Sequence, residues 1–180
     1  MNRAPGLSPN ADASPVAQRA VGSAPVSFVR QASHMLSYDA SVSIAATRES
    51  VWRVLAAVAR WPEWTPTVIS VEPLDGQSLT LGGTYKIVQP RLRPATWVVT
   101  KIEPPRRFAW ESRSPGLLVV ADHIIEEPLP GRSNVVLRVS FSGLLGAPIG
   151  WLVRSITERY LAQEAAALKR RVEGGNANEE

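Results

Sequence analysis

Residues 106–142 read RRFAWESRSPGLLVVADHIIEEPLPGRSNVVLRVSFS, and the pleat of this stretch decides the fold. Pro115-Gly116 and the run from Pro128 to Gly131 are turn signals that divide it into strand-like segments at about 106–113, 117–127 and 133–142. An unpaired charge does not face a core. With Pro115-Gly116 closing a hairpin, Trp110 lies across from about Ala121, and Phe108 across from His123. Glu111, Arg113, Asp122 and Glu126 then share the opposite, solvent-facing side. On the last segment Arg138 falls near Asp122, a favourable cross-strand pair of opposite charges. Val135, Leu137, Val139 and Phe141 are left facing inward, and His123 is the one ionisable side chain on that inner face.

Toward the N-terminus, Asp75-Gly76, Gly82-Gly83, Pro90 with Pro94, and Pro104-Pro105 bound three more segments, at about 67–73, 83–89 and 95–103. Lys86 outward places Tyr85 and Ile87 inward. On 95–103, Lys101 outward carries Trp97 outward too, unless a bulge intervenes. Earlier still, Tyr38, Ala40, Val42 and Ile44 alternate with Asp39, Ser41 and Ser43, the period of a half-buried strand. Thr47 is then an N-cap, with Ser50 at the capping-box position. Val51, Val54, Leu55 and Val58 form the apolar face of a helix that ends before Pro62. Trp61-Pro62-Glu63-Trp64-Thr65-Pro66 follows as a short, stiff connection.

Beyond Gly143 the period becomes helical. Ile149, Val153, Ile156 and Tyr160, then Leu161, Ala165, Leu168 and Val172, make one long amphipathic C-terminal helix. Its stripe shifts by about a third of a turn between the two halves, at 3.6 residues per turn. Thr157, Tyr160 and Glu164 lie along that junction. A helix on a solid core has little reason to hold Glu164 in its stripe, whereas one bordering a cavity does. The order is strand, helix, six-strand antiparallel meander, long helix: an α+β domain whose helices cover one face of a curved sheet.

At 180 residues with 44% hydrophobic and 20% charged content, the chain is one globular domain with a real core. Cys is absent, which excludes disulfides, zinc ribbons and thiol nucleophiles. No apolar run approaches the ~18 residues of a membrane span, so a soluble, cytoplasmic protein is expected. The net charge is +4, with 17 Arg and three Lys against 16 carboxylates. Arg3, Arg19 and Arg30 against Asp12 place half of that excess in residues 1–34. Elsewhere the signs alternate without a basic stripe, so no nucleic-acid partner is expected. Residues 1–35 are Pro-, Ala- and Ser-rich and lack lasting periodicity, the composition of a disordered tail. A transit peptide is the alternative, and Met35 leaves a downstream start open. The folded domain is expected over 36–173, with 174–180 a disordered C-terminus. The Ala- and Arg-rich, Lys-poor composition points to a GC-rich bacterial genome.

Several short motifs, in order, resemble a known superfamily. They are Ile44 followed by Ala45-Ala46-Thr47-Arg48-Glu49-Ser50-Val51-Trp52, then Trp61-Pro62-Glu63-Trp64, and Gly82-Gly83-Thr84. Ile102-Glu103-Pro104-Pro105-Arg106-Arg107-Phe108-Ala109-Trp110 and Phe141-Ser142-Gly143 complete the series. Over about 36–173 the chain resembles the START-like, SRPBCC superfamily, most of all its bacterial polyketide cyclase/dehydrase and lipid-transport branch. The resemblance implies the helix-grip fold of the birch-pollen allergens, in which a seven-strand antiparallel sheet wraps a long C-terminal helix around a hydrophobic cavity. Cyclases, lipid carriers, oxygenase domains and co-chaperone-like proteins share that fold, so it does not fix an activity.

Metal and cofactor chemistry find no support. His34 and His123 are the only histidines, and neither HExxH nor Cys spacing occurs. GxSxG, Walker A and GxGxxG turns are likewise missing, so no cofactor is expected. The expected cavity lining is Trp64, Tyr85, Ile87, Phe108, Trp110, Ala121, His123, Leu137, Phe141, Thr157 and Tyr160. An imidazole gives and takes protons near neutral pH, so His123 suits a general base or a partner for a bound carbonyl. Tyr160 and Glu164 supply a hydrogen-bonding phenol and an acid. Each has a plainer structural alternative: a packed histidine, a core tyrosine, a snorkelling glutamate. Trp151 is placed to gate the entrance or meet a membrane edge, and Arg91, Arg93, Arg106 and Arg107 to meet anionic groups.

Three functions follow. The first is a carrier or sequestering protein for a lipid, polyketide, isoprenoid or aromatic molecule, acting as monomer or homodimer with at most transient membrane contact. The second is a cofactor-independent cyclase or dehydratase using His123, Tyr160 and Glu164. The third is a co-chaperone-like interaction protein.

Overall fold

A computed structural model describes residues 35–76 and 78–176. The expected tail over 1–34, with His34, and the last four residues lie outside the described residues. The elements are β1 (Leu36–Ile44), α1 (Arg48–Ala56), β2 (Ser70–Pro73), β3 (Thr84–Val88), β4 (Ala95–Glu103), β5 (Arg107–Ser114), β6 (Leu117–Leu129), β7 (Arg132–Ser142), α2 (Gly146–Leu152) and α3 (Arg154–Asn176). A 3-10 turn at Val58–Glu63 follows α1. The strands form one antiparallel sheet in the order β1-β7-β6-β5-β4-β3-β2. The sheet curves around α3, which is the helix-grip fold.

The register agrees with the pleat argument. Trp110 faces Ala121, and Phe108 faces His123. Asp122 faces Arg138, but its carboxylate accepts instead from Arg107, diagonally across β5, at 2.8 and 2.5 Å. A guanidinium presenting two donors to two carboxylate oxygens makes the stronger contact. Tyr85, Ile87, Phe108, Trp110, Ile125, Val135 and Leu137 are buried on the inner face with Leu161, Ala165, Leu168 and Val172 of α3.

Three boundaries differ from expectation. Thr47 caps α1, accepting from the Ser50 amide at 3.3 Å, but α1 stops at Ala56 rather than running to Pro62. The Trp61 indole N–H donates to the Leu55 carbonyl at 3.0 Å, taking the acceptor that a further helical turn would use. The C-terminal helix is bent into α2 and α3 at Val153. The bend lets α2 press its buried glycines onto the end of β7 while α3 lies along the sheet. A Cβ at Gly150 would stand 3.1 Å from the Phe141 ring, and one at Gly146 would stand 3.0 Å from the Phe141 backbone. Finally, α3 continues to Asn176, into the segment expected to be disordered from 174.

Candidate functional site

The 89–96 loop, the adjoining ends of β5, β6 and β7, and one side of α2 and α3 enclose a cavity of about 770 Å³. Its walls are mainly apolar, with Trp97, Val119, Phe141, Ile149 and Val153 among them. A narrower space of about 70 Å³ shares Gln89, Trp97, Val139, Leu161 and Glu164 with it, and reaches Trp61, Ile87, Trp110, Ala121, His123 and Leu137.

Trp97 enters this lining because of a local irregularity. The β4–β5 register shifts between Val99 and Lys101, so one extra residue lets Lys101 point outward while Trp97 turns in. The Trp97 ring lies 5.6 Å from that of Trp110. The bulge, not the alternation, sets its direction.

His123 stands at the narrow end. Its ring stacks on Phe108 at 4.1 Å and 8°, with Trp61 and Trp110 edge-on at 5.4 and 5.8 Å. Its Nε2 lies 3.6 Å from Glu164 Oε1, beyond hydrogen-bond length. Its Nδ1 is buried without a partner among the described residues. Both side chains are almost wholly enclosed, at 4% and 8% exposure. A histidine on β6 and a glutamate from the apolar stripe of α3 thus face each other across the core. An imidazole and a carboxylate so placed can accept, hold and return one proton at a molecule that reaches the narrow end.

The remaining candidates divide. Phe141, Thr157 and Tyr160 line the larger space, and Ile87, Trp110, Ala121 and Leu137 the narrower one. Tyr160 donates its hydroxyl proton to the Pro90 carbonyl, tying α3 to the 89–96 loop. Its one proton is therefore already committed. Tyr85, Phe108 and Trp64 line neither space. Tyr85 is buried behind Trp110 and donates to the Ser78 carbonyl at 2.9 Å. Burial pushes its phenol above the ordinary value, with a further push from the Asp75 charge. Phe108 is the floor on which His123 stacks. Trp64 borders a separate groove of about 360 Å³ with Arg53, Arg60 and Arg171. Alternation identifies which side of the sheet a residue faces, and Tyr85 and Phe108 face the core away from the cavity, whereas Trp64 follows the 3-10 turn and lies on no strand.

Much of the lining lies where the sequence carries no periodic signal. Gln89, Leu92 and Arg93 belong to the proline-containing loop before β4, and Pro90 and Pro94 signal only that a loop is there. Ser112, Arg113 and Ser114 close the same end from β5, with Arg113 held to Glu111 at 2.6 Å. Among the described residues no three His, Cys, Asp or Glu side chains come together to hold a metal ion, and no helix is long and apolar enough to cross a membrane.

The fold is shared by known proteins. The ZhuI aromatase/cyclase of a Streptomyces species aligns with a TM-score of 0.59 at 21% identity, covering 81% of this chain and 95% of that one. A START superfamily protein from Mycobacterium smegmatis aligns with a TM-score of 0.62 at 16% identity, over 77% and 97%. Ara h 8.0201 aligns with a TM-score of 0.60 at 14% identity, again over 77% and 97%. At these identities the likeness shows a common fold. No curated protein matches the sequence. The model of the family described as polyketide cyclase / dehydrase and lipid transport matches residues 35–173, nearly the whole described chain. A helix-grip sheet closed over an apolar cavity and a family match spanning it from end to end agree: the chain belongs to the polyketide cyclase / dehydrase and lipid-transport family.

Proposed function

We propose that the protein binds one hydrophobic small molecule, of lipid, polyketide, isoprenoid or aromatic character, as a carrier or sequestering protein. The supporting observation is the cavity itself. Its volume of about 770 Å³ falls within the roughly 300–1,000 Å³ typical of ligand pockets, which are mainly apolar with a few polar groups. Family membership and fold fit hydrophobic ligand binding as well. Titration of the delipidated full chain with a fluorescent fatty-acid analogue tests the proposal. Uptake should saturate at one site. Thr157→Trp and Val119→Trp, which plug the space from opposite walls, should each weaken it about tenfold or more while remaining folded. Undiminished uptake in both folded variants overturns the proposal.

A second reading, a cofactor-independent cyclase or dehydratase, is favoured by the His123–Glu164 pair at the narrow end. A poly-β-keto chain threaded inward would present its acidic methylene to that pair, which would take the proton; the enolate carbon would attack a carbonyl further along the same chain, and the pair would return the proton to the alkoxide so formed, whose hydroxyl can then leave as water. Glu164→Gln keeps the shape of the side chain and should lower turnover of such a substrate about 10²-fold or more with probe binding unchanged. Equal turnover in the variant removes the carboxylate from the chemistry.

A further inference from the structure

The segment that seals the cavity on one side is apolar on its other side as well. Leu144 is 92% exposed, Trp151 73% and Leu152 75%. Singly exposed apolar residues are ordinary, but three so open within nine residues form a patch that calls for a partner. The patch is rigidly presented. Gly146 and Gly150 of α2 are pressed against Phe141, and the Tyr38 hydroxyl donates to the Gly150 carbonyl at 3.1 Å. Ile149 and Val153, from the same short helix, line the cavity. The apolar patch and the ligand space are therefore two sides of one wall.

The two stretches that frame the cavity here carry charge of one sign. The 89–97 stretch carries Arg91 and Arg93 flanking Leu92, and the 143–157 stretch carries Arg154; neither contains a carboxylate. Leu92 and Arg93 line the same cavity as Ile149 and Val153. Arg154 pairs with Glu158 at 3.0 Å, whereas Arg91 and Arg93 make no ion pair among the described residues. Exposed Trp and Leu next to unpaired Arg is the composition by which a protein lies in the interface of an anionic bilayer. A second copy is a poorer occupant. A two-fold contact sets the same patch against itself, and would gather the Arg91 and Arg93 charges of both copies at one interface.

We infer that the α2 face and the loop before β4 dock the cavity mouth on an anionic phospholipid surface, so that an apolar ligand passes between bilayer and cavity without crossing water. The inference rests on the ligand-binding proposal for its purpose but not for its test. Sedimentation of the full chain with vesicles of phosphatidylcholine, alone or mixed with phosphatidylglycerol, measures docking without any ligand. The wild-type protein should sediment with the mixed vesicles and be released by raised salt. Trp151→Ala/Leu152→Ala should weaken sedimentation about tenfold or more, and Arg91→Gln/Arg93→Gln should abolish its preference for anionic lipid. Leu81→Ser, at a residue 67% exposed elsewhere, should leave it unchanged. Uptake of the fatty-acid analogue from water should survive in Trp151→Ala/Leu152→Ala and in Leu81→Ser, whose residues lie outside the cavity lining, which separates failure of docking from failure of the cavity. Wild-type protein that ignores both vesicles overturns the inference. So does a solution dimer that Trp151→Ala/Leu152→Ala dissociates, since the patch would then belong to a second copy.

Discussion

His123 is an imidazole enclosed by three aromatic rings, so two properties must be separated in any experiment on it. Its ring fills space between Phe108, Trp61 and Trp110, and its Nε2 faces Glu164. His123→Ala removes both, and the vacated volume should cost about 2–4 kcal/mol of stability, the scale of large-to-small core substitutions. Glu164→Gln leaves the packing intact and should change stability far less. Urea denaturation of the two variants checks the contrast; equal losses would mean that the carboxylate, not the stacked ring, holds this part of the core. The inward direction of His123 was legible because its neighbour Asp122 has to face water, which sets the pleat. Its partner was half legible. Glu164 lies in an apolar stripe, where a carboxylate is out of place, but nothing along the chain says that β6 and α3 bring the two within 3.6 Å.

At the scale of elements, α3 is fastened at both ends by polar ties. Tyr160 holds its first turns to the 89–96 loop. Near its other end Glu173 accepts from the Ala45 amide at 2.9 Å and from Lys169 at 2.5 Å, and Lys169 also donates to the Ser43 carbonyl. The Ala45 amide, then Lys169, hold the Glu173 carboxyl below the ordinary carboxylate range. A lowered folded value means that its stabilisation is fully present above the ordinary range and is lost as pH falls through the lowered one. Thermal melts from pH 6 to pH 3 should show a steeper acid loss in the wild type than in Glu173→Gln. Parallel curves would show that this tie contributes nothing to holding the helix. Elements with a clear period, β1, β3 and the β5–β7 meander, were legible to within one or two residues. The end of α1 and the bulge in β4 were not, because an indole N–H and a register shift fixed them from outside their own segments.

For the whole molecule, the cavity lies between α3 and the sheet it would otherwise close upon, and a ligand that fills it should stabilise the fold. A ligand at about 100 times its dissociation constant adds about 2.7 kcal/mol to a state that alone can bind it. The melting temperature should therefore rise with the fatty-acid analogue in the wild type and stay fixed in Thr157→Trp. A rise in both would place the binding outside the cavity.

The sequence by itself determined the α+β class, the order of strands in the meander, the inner and outer faces of its best-patterned strands, and the family. The class, the strand order and the faces follow from alternation, turn residues and the refusal of charge to enter a core, all of which act within a few residues; the family was legible only as a resemblance carried by short motifs in order. Only the tertiary structure decided where the cavity lies. It is the space left between α3 and a sheet whose edge is set by a bulge, a proline-bounded loop and two glycines of α2 pressed on Phe141. A void has no residues of its own, so which side chains border it depends on contacts between segments far apart in the chain. For that reason Trp97, Arg93 and Ile149 line it, and Trp64, Tyr85 and Phe108 do not.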